Sequence, residues 1–273
     1  MFLFINQIKD IPILIVSNRD EFKNRKSTPI NGWNKQFNIL GNDIIAPRDE
    51  FKNGTWFACQ NKKNPKWAIL TNIRDLKSLK DGLSTRGNIV LDFINSSDTA
   101  EKYLEKLNKI SDKYNYFNLI FSDNDSIYYF HSKNKEFKLL YKKSNQIKNI
   151  FGLSNGELNA DWPKVTYTKA TFLNFFEKNT VLRDSDFYWN YFKNEMMNSN
   201  KYPLSSLPNT GVSPEQEVFL SSLFIEGEKY GTNSTILFGI EKSGSIFFYE
   251  QTYDLNSRID ISKKIQLKFY DHE

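Results

Sequence analysis

Apolar and polar positions alternate along this chain in a pattern that predicts strands at both ends and helices between them. Phe2–Asn6 is an apolar run, Lys9-Asp10 is suited to a hairpin turn, and Ile11–Ser17 is rich in β-branched residues. The polar tetrapeptide Asn18-Arg19-Asp20-Glu21 predicts an abrupt end to the second strand, followed by a loop with Pro29, Gly32 and Trp33. Ile44–Ala46, Thr55–Gln60 and Lys66–Thr71 predict further strands, with Asn53-Gly54 as a turn. The period then becomes helical at Arg86–Asn95, capped by Ser84 or Thr85. It is helical again from Ser97 or Asp98 to Ile110, where Tyr103, Leu104, Leu107 and Ile110 share a face. Tyr116–Ser122 and Ser126–His131 flank the turn Asp123-Asn124-Asp125, and Phe137–Tyr141 and Asn149–Leu153 are expected to extend the same sheet. Asp161-Trp162-Pro163 opens a helix to Phe176, and Ser213-Pro214-Glu215-Gln216 caps one over Pro214–Phe224. Residues 179–214 show no dominant period, and Thr235–Ile240 with Ser245–Thr252 form a closing hairpin around Ser243-Gly244.

The order strands, helices, strands, helices, strands is not the regular alternation of a doubly wound parallel sheet. It predicts an α+β fold of mostly antiparallel sheets with helices packed outside. No repeat or linker divides the chain, so a single domain over residues 1–273 is expected.

Composition narrows the chemistry. No stretch approaches the roughly 20 apolar residues that span a bilayer, so no transmembrane segment is expected. The N-terminal apolar run has no basic region before it and is interrupted by Lys9 and Asp10, so no secretory signal is expected either. A single cysteine, Cys59, excludes an internal disulfide framework. With only His131 and His272 besides, a Cys/His metal centre is not expected. Cys59 follows apolar neighbours and is expected to be a buried, inert thiol. The net charge of +5 comes from lysines scattered along the chain, not from the stripe a nucleic-acid partner requires.

Against that lysine-rich background the chain has seven arginines, and four precede aspartate: Arg19-Asp20, Arg48-Asp49, Arg74-Asp75 and Arg183-Asp184. A guanidinium fork grips a carboxylate or phosphate through two hydrogen bonds, which an ammonium does not do. The first three pairs fall at or beyond the ends of predicted strands. If those strands share a sheet and a direction, the pairs converge on one rim. Neighbours in extended chain point opposite ways, so one member of each pair can tie the loop while the other faces a cleft. Asn18, Asn72 and Asn155 are candidate hydrogen-bonding companions. The other reading is a network of ion pairs that only fixes loops.

Asn18-Arg19-Asp20-Glu21, ending an N-terminal apolar strand pair, resembles the signature of the NRDE family, the transport and Golgi organisation protein 2 family. Further segments match in order: Gly54-Thr55-Trp56, Leu70-Thr71-Asn72 with Arg74-Asp75, Arg86-Gly87 before Val90 and Phe93, Leu153-Ser154-Asn155, Trp162-Pro163-Lys164 and Tyr230-Gly231-Thr232. The resemblance covers nearly the whole chain. It implies an N-terminal-nucleophile-hydrolase-like fold, a four-layer αββα sandwich with two mostly antiparallel sheets. Most members begin Met-Cys; this chain begins Met1-Phe2, and a phenyl ring has no nucleophilic atom. Pro47 and Asn233 also depart from the family pattern, where glycine and arginine are usual.

Some family members are implicated in heme movement and in lipid or acyl-CoA metabolism. The resemblance therefore implies a non-catalytic, cytoplasmic small-ligand binding protein that requires no cofactor. Heme or an acyl-CoA-like anion is the candidate ligand. The implied ligand-binding residues are Asn18, Arg19, Asp20, Glu21, Arg48, Asn72, Arg74, Arg86 and Asn155, with no catalytic residue at Phe2. The alternative is an amidohydrolase of the N-terminal-nucleophile type, which requires a cysteine at position 2. Another nucleophile, such as Ser17 or Thr55, lacks an evident histidine partner. A purely structural or interaction module is the third reading.

Overall fold

A computed structural model describes residues 1–30, 44–145, 147–179, 182–254 and 259–268; Gly32, Trp33 and His272 lie outside them. The chain forms two compact units, Met1–Asn24 with Ile147–Glu273, and Arg25–Gln146. In chain order the strands are β1 (Phe2–Ile8), β2 (Ile11–Phe22), β3 (Ser27–Thr28), β4 (Ile44–Ile45), β5 (Arg48–Asp49), β6 (Phe57–Gln60) and β7 (Trp67–Asn72). They continue as β8 (Phe117–Ser122), β9 (Ser126–His131), β10 (Glu136–Lys142), β11 (Asn149–Gly152), β12 (Tyr230–Ile240), β13 (Ile246–Tyr253) and β14 (Ile259–Leu267). The helices are α1 (Gly87–Asn95), α2 (Ala100–Ile110), α3 (Pro163–Lys178), α4 (Ser185–Met196) and α5 (Pro214–Phe219).

The first unit is built on an antiparallel sheet ordered β11-β1-β2-β12-β13-β14. One face of this sheet carries Phe2, Phe4, Leu14, Val16 and Leu237. It packs against Phe172 and Phe176 of α3 and Trp189 and Phe192 of α4. Leu3 and Ile15, pointing the other way, are also buried. Burial on both faces is why these strands read as continuous apolar runs rather than alternating ones.

The second unit holds a sheet ordered β10-β9-β8-β7-β6-β4 and a small β3-β5 pair. Helices α1 and α2 cover one face through Ile89, Val90, Phe93, Leu104 and Leu107. Here the backbones of Gly54 and Gly87 touch: a Cβ on Gly87 would lie 2.9 Å from the Thr55 nitrogen and 3.0 Å from the Gly54 Cα. Only glycine permits that approach of helix start to turn.

The α+β class and the mostly antiparallel sheets agree with the sequence reading. Several details differ. Strand β2 does not stop at Ser17 but runs through Asn18-Arg19-Asp20-Glu21 to Phe22, because Tyr230–Thr235 of β12 pairs with it and satisfies its backbone. Asn149–Gly152 does not extend the β9–β10 sheet; it pairs with β1. Helix α4 lies inside the segment that showed no period, and its aromatic residues suit a strand as well as a helix. Helix α5 ends at Phe219, not Phe224, where Lys164 draws off the carbonyls of Leu220 and Ser222. Of the three strands expected to share one rim, β4 and β7 lie in the same six-stranded sheet and run the same way, each being antiparallel to β6, whereas β2 belongs to the sheet of the first unit; Arg48-Asp49 itself forms β5 of the small pair.

Among the described residues no helix is long and apolar enough to cross a membrane.

Candidate functional site

In the first unit, polar groups gather where the start of β1, the end of β2 and the start of β12 meet. The Met1 nitrogen is buried and donates to the Leu153 carbonyl, 3.0 Å. Burial pulls this amino group down to about 5; Asp20 opposes the shift and Lys164 adds to it. Asp20 accepts from the Thr232 hydroxyl, 2.7 Å, and Thr232 in turn accepts from the Ile225 N–H. Lys23 donates to the carbonyls of Thr232 and Asp254, and burial lowers its pKa.

Both N–H groups of the Asn18 amide are engaged. They donate to the carbonyls of Met196 and Leu223, each at 2.9 Å, while the amide oxygen accepts from Thr235, 2.7 Å. The Met196 carbonyl ends α4, so Asn18 satisfies a group the helix itself leaves open. Arg19 sits between Asn18 and Asp20, opposite Ser234. The ladder is irregular there: Thr232 faces Asp20 and Ser234 faces Arg19, so Asn233 is an extra residue, a bulge. Bulges re-aim neighbouring side chains, and this one sits against the signature tetrapeptide. Glu21 folds back to accept from the Phe22 N–H.

Asn155 lies in the half-buried loop between β11 and α3. That loop lies on an indole: a Cβ at Gly156 would come 2.9 Å from the Trp162 ring. Asn159 closes it by exchanging hydrogen bonds with Gly152. One turn along, Lys164 is buried and donates to Leu220 and Ser222. The residue at position 2 is part of the core. The Phe2 ring is 1% exposed and meets Phe172 edge to face, centroids 5.0 Å apart.

The second unit places the remaining expected residues. Arg48 donates to the Asn53 side chain, and Arg86 to the Tyr116 carbonyl, 3.0 Å. Asn72 ends β7, with Arg74 two residues beyond it. In each of the four Arg-Asp pairs the aspartate has a local partner. Asp20 takes Thr232, and Asp49 is held by the fork of Arg25 at 2.7 and 3.0 Å. Asp75 takes Lys133 and Ser78, which hold its carboxyl below the usual range. Asp184 caps α4.

The other candidate chemistry groups are committed locally. The Thr55 hydroxyl donates to the Phe57 carbonyl and accepts from the Phe57 N–H. His131 is buried, and its Nδ1 accepts from the Asn134 N–H. Cys59 is buried and its thiol is pushed up by burial. In the folded protein it should resist a water-soluble thiol reagent and react stoichiometrically only after denaturation; equal labelling rates with and without denaturant would contradict the burial.

Sequence reasoning missed Lys164, Thr232 and Thr235 as members of the polar junction. The hydroxyl-rich run Thr232-Asn233-Ser234-Thr235 was the available signal.

These features define an α+β protein of antiparallel sheets in which a signature strand, an N-terminal strand and a buried lysine meet at one polar junction. The chain belongs to the family described as Transport and Golgi organisation 2, whose profile it matches over residues 1–255. A mouse protein named Transport and Golgi organization 2 homolog is 22% identical over 252 residues, covering 88% of this chain and 86% of the mouse protein. The bovine and human Transport and Golgi organization protein 2 homologs are each 23% identical, over 254 and 253 residues, with the same coverage of 88% and 86%.

Proposed function

We propose that this protein binds an amphipathic anion, of the heme or acyl-CoA kind, and releases it unchanged. The observation that carries the reading is Phe2. The position that the family resemblance assigns to a nucleophile holds a ring that is buried against Phe172 and has no group to attack with. Family membership supports the reading, as do the cationic side chains Arg19, Lys23 and Lys164 set around the signature strand. In it, Arg19 meets a carboxylate or phosphate, with Asp20, Glu21 and Asn155 shaping the surroundings. Arg48, Asn72, Arg74 and Arg86 are the candidate contacts of the second unit. The αββα layering of an N-terminal-nucleophile-hydrolase-like fold is part of the same proposal.

Equilibrium titration of the purified protein with heme and with a long-chain acyl-CoA tests it. Saturable binding is expected for at least one. Arg19→Ala should weaken it about 10- to 100-fold, the worth of a charge-assisted hydrogen bond of about 1.5–3 kcal/mol. Absence of saturation with both ligands, or an unchanged affinity in Arg19→Ala, would remove the basis for the proposal.

A further inference from the structure

The second unit ends its main sheet on an exposed edge. Strand β10 pairs with β9 on one side and is the last strand on the other. Phe137 and Leu139 are 59% and 50% exposed. The register sets Phe137 beside Phe130 and Leu139 beside Tyr128, so both extend the apolar face that α1 and α2 cover further in. Exposed apolar side chains on an edge strand are a template for another strand, and proteins normally shorten, charge or cover such an edge.

Two of the remaining edges are handled in those ways. At the far end of the same sheet, β4 has two residues and both are buried. In the first unit, β11 is short and largely buried. Strand β14 is exposed and carries Ile259 and Ile261 at 58% and 38% exposure, but its Lys264 is held by both oxygens of Asp186 and its Gln266 bonds to Ser185, which tie its second half to the start of α4.

We propose that β10 pairs antiparallel with β10 of a second copy of this chain, making a two-fold dimer with a continuous sheet. The charge order along the strand selects this occupant. Glu136 opens it and Lys142-Lys143 close it. An antiparallel pair sets each copy's glutamate against the other's lysines, whereas a parallel pair sets like against like. With the axis near Leu139, Lys138 meets the Leu140–Tyr141 end of the partner rather than a second cation. The axis stands normal to the sheet, so Phe137 and Leu139 of both copies form one apolar strip. The bulge between Leu139 and Tyr141 limits the regular ladder to a few residues. An interface this small falls below the standard size, so the dimer is weak, with a Kd of about 1–100 µM.

Sedimentation equilibrium of the full chain over a wide concentration range tests this. A monomer–dimer equilibrium is expected. Leu139→Lys should weaken it at least about tenfold. Because Leu139 is half exposed, the thermal melt should not move when measured well below the dimer Kd, where both proteins are monomers. Glu136→Lys alone and Lys142→Glu/Lys143→Glu alone should each self-associate poorly, and mixing the two should restore a heterodimer. A wild-type chain that stays monomeric throughout overturns the proposal. So does a dimer indifferent to Leu139→Lys, or a charge-swapped mixture that does not associate. None of these outcomes depends on ligand binding, so the dimer and the binding role stand or fall separately.

Discussion

Replacing Phe2 with alanine is expected to cost about 3–5 kcal/mol of folding stability, the range for deleting a fully buried ring. The ring fills a specific place. It meets Phe172 edge to face, at 5.0 Å and 83°, and it lies over Gly152, its cross-strand partner, where a Cβ would come within 3.1 Å of Phe2 Cε1. Phe4 contacts the same Phe172 ring at 5.2 Å, so the cavity left by Phe2→Ala opens beside a ring cluster that cannot collapse freely. Phe2→Leu, which keeps most of the volume, should cost less than half as much. Urea denaturation of the two variants checks the ranking. A Phe2→Ala variant within 1 kcal/mol of wild type would mean that the ring is not a packing element.

Asn18→Ala should cost about 2–4 kcal/mol, because it strands the Met196 and Leu223 carbonyls and the Thr235 hydroxyl together. Asn18→Asp separates hydrogen bonding from size. Its carboxylate would face two carbonyl oxygens, so the folded state would hold a proton there more tightly than the unfolded chain does. Bound protons are then more numerous in the folded state, and the stability of Asn18→Asp rises as pH falls toward the carboxyl range. Wild type carries no such group at this position. An Asn18→Asp variant whose deficit relative to wild type is the same at pH 7 and pH 4 would contradict the assignment of the amide to the two carbonyls.

The parts of the fold legible in the sequence were those set by local pattern. The β8–β9 and β12–β13 hairpins, α2 and α3 announce themselves through turn residues, caps and spacing. What was hidden depends on partners distant in the chain. Asn18–Glu21 reads as a loop because it is polar, yet it is strand because β12, more than two hundred residues later, supplies its hydrogen bonds. The Arg-Asp pairs were visible as a pattern, and each aspartate has a local partner. Their common rim was an inference from strand ends: β4 and β7 share a sheet and a direction, but β2 belongs to a different sheet. Lys164 was invisible as a member of the polar junction because its targets are backbone carbonyls, which leave no mark in a sequence.

The central claim is that the protein holds its ligand without cutting it. The direct measurement is equilibrium dialysis against an acyl-CoA, followed by mass spectrometry of the ligand recovered from the protein side. The account predicts saturable retention and intact acyl-CoA after prolonged incubation. Free coenzyme A or fatty acid accumulating in proportion to protein would contradict it.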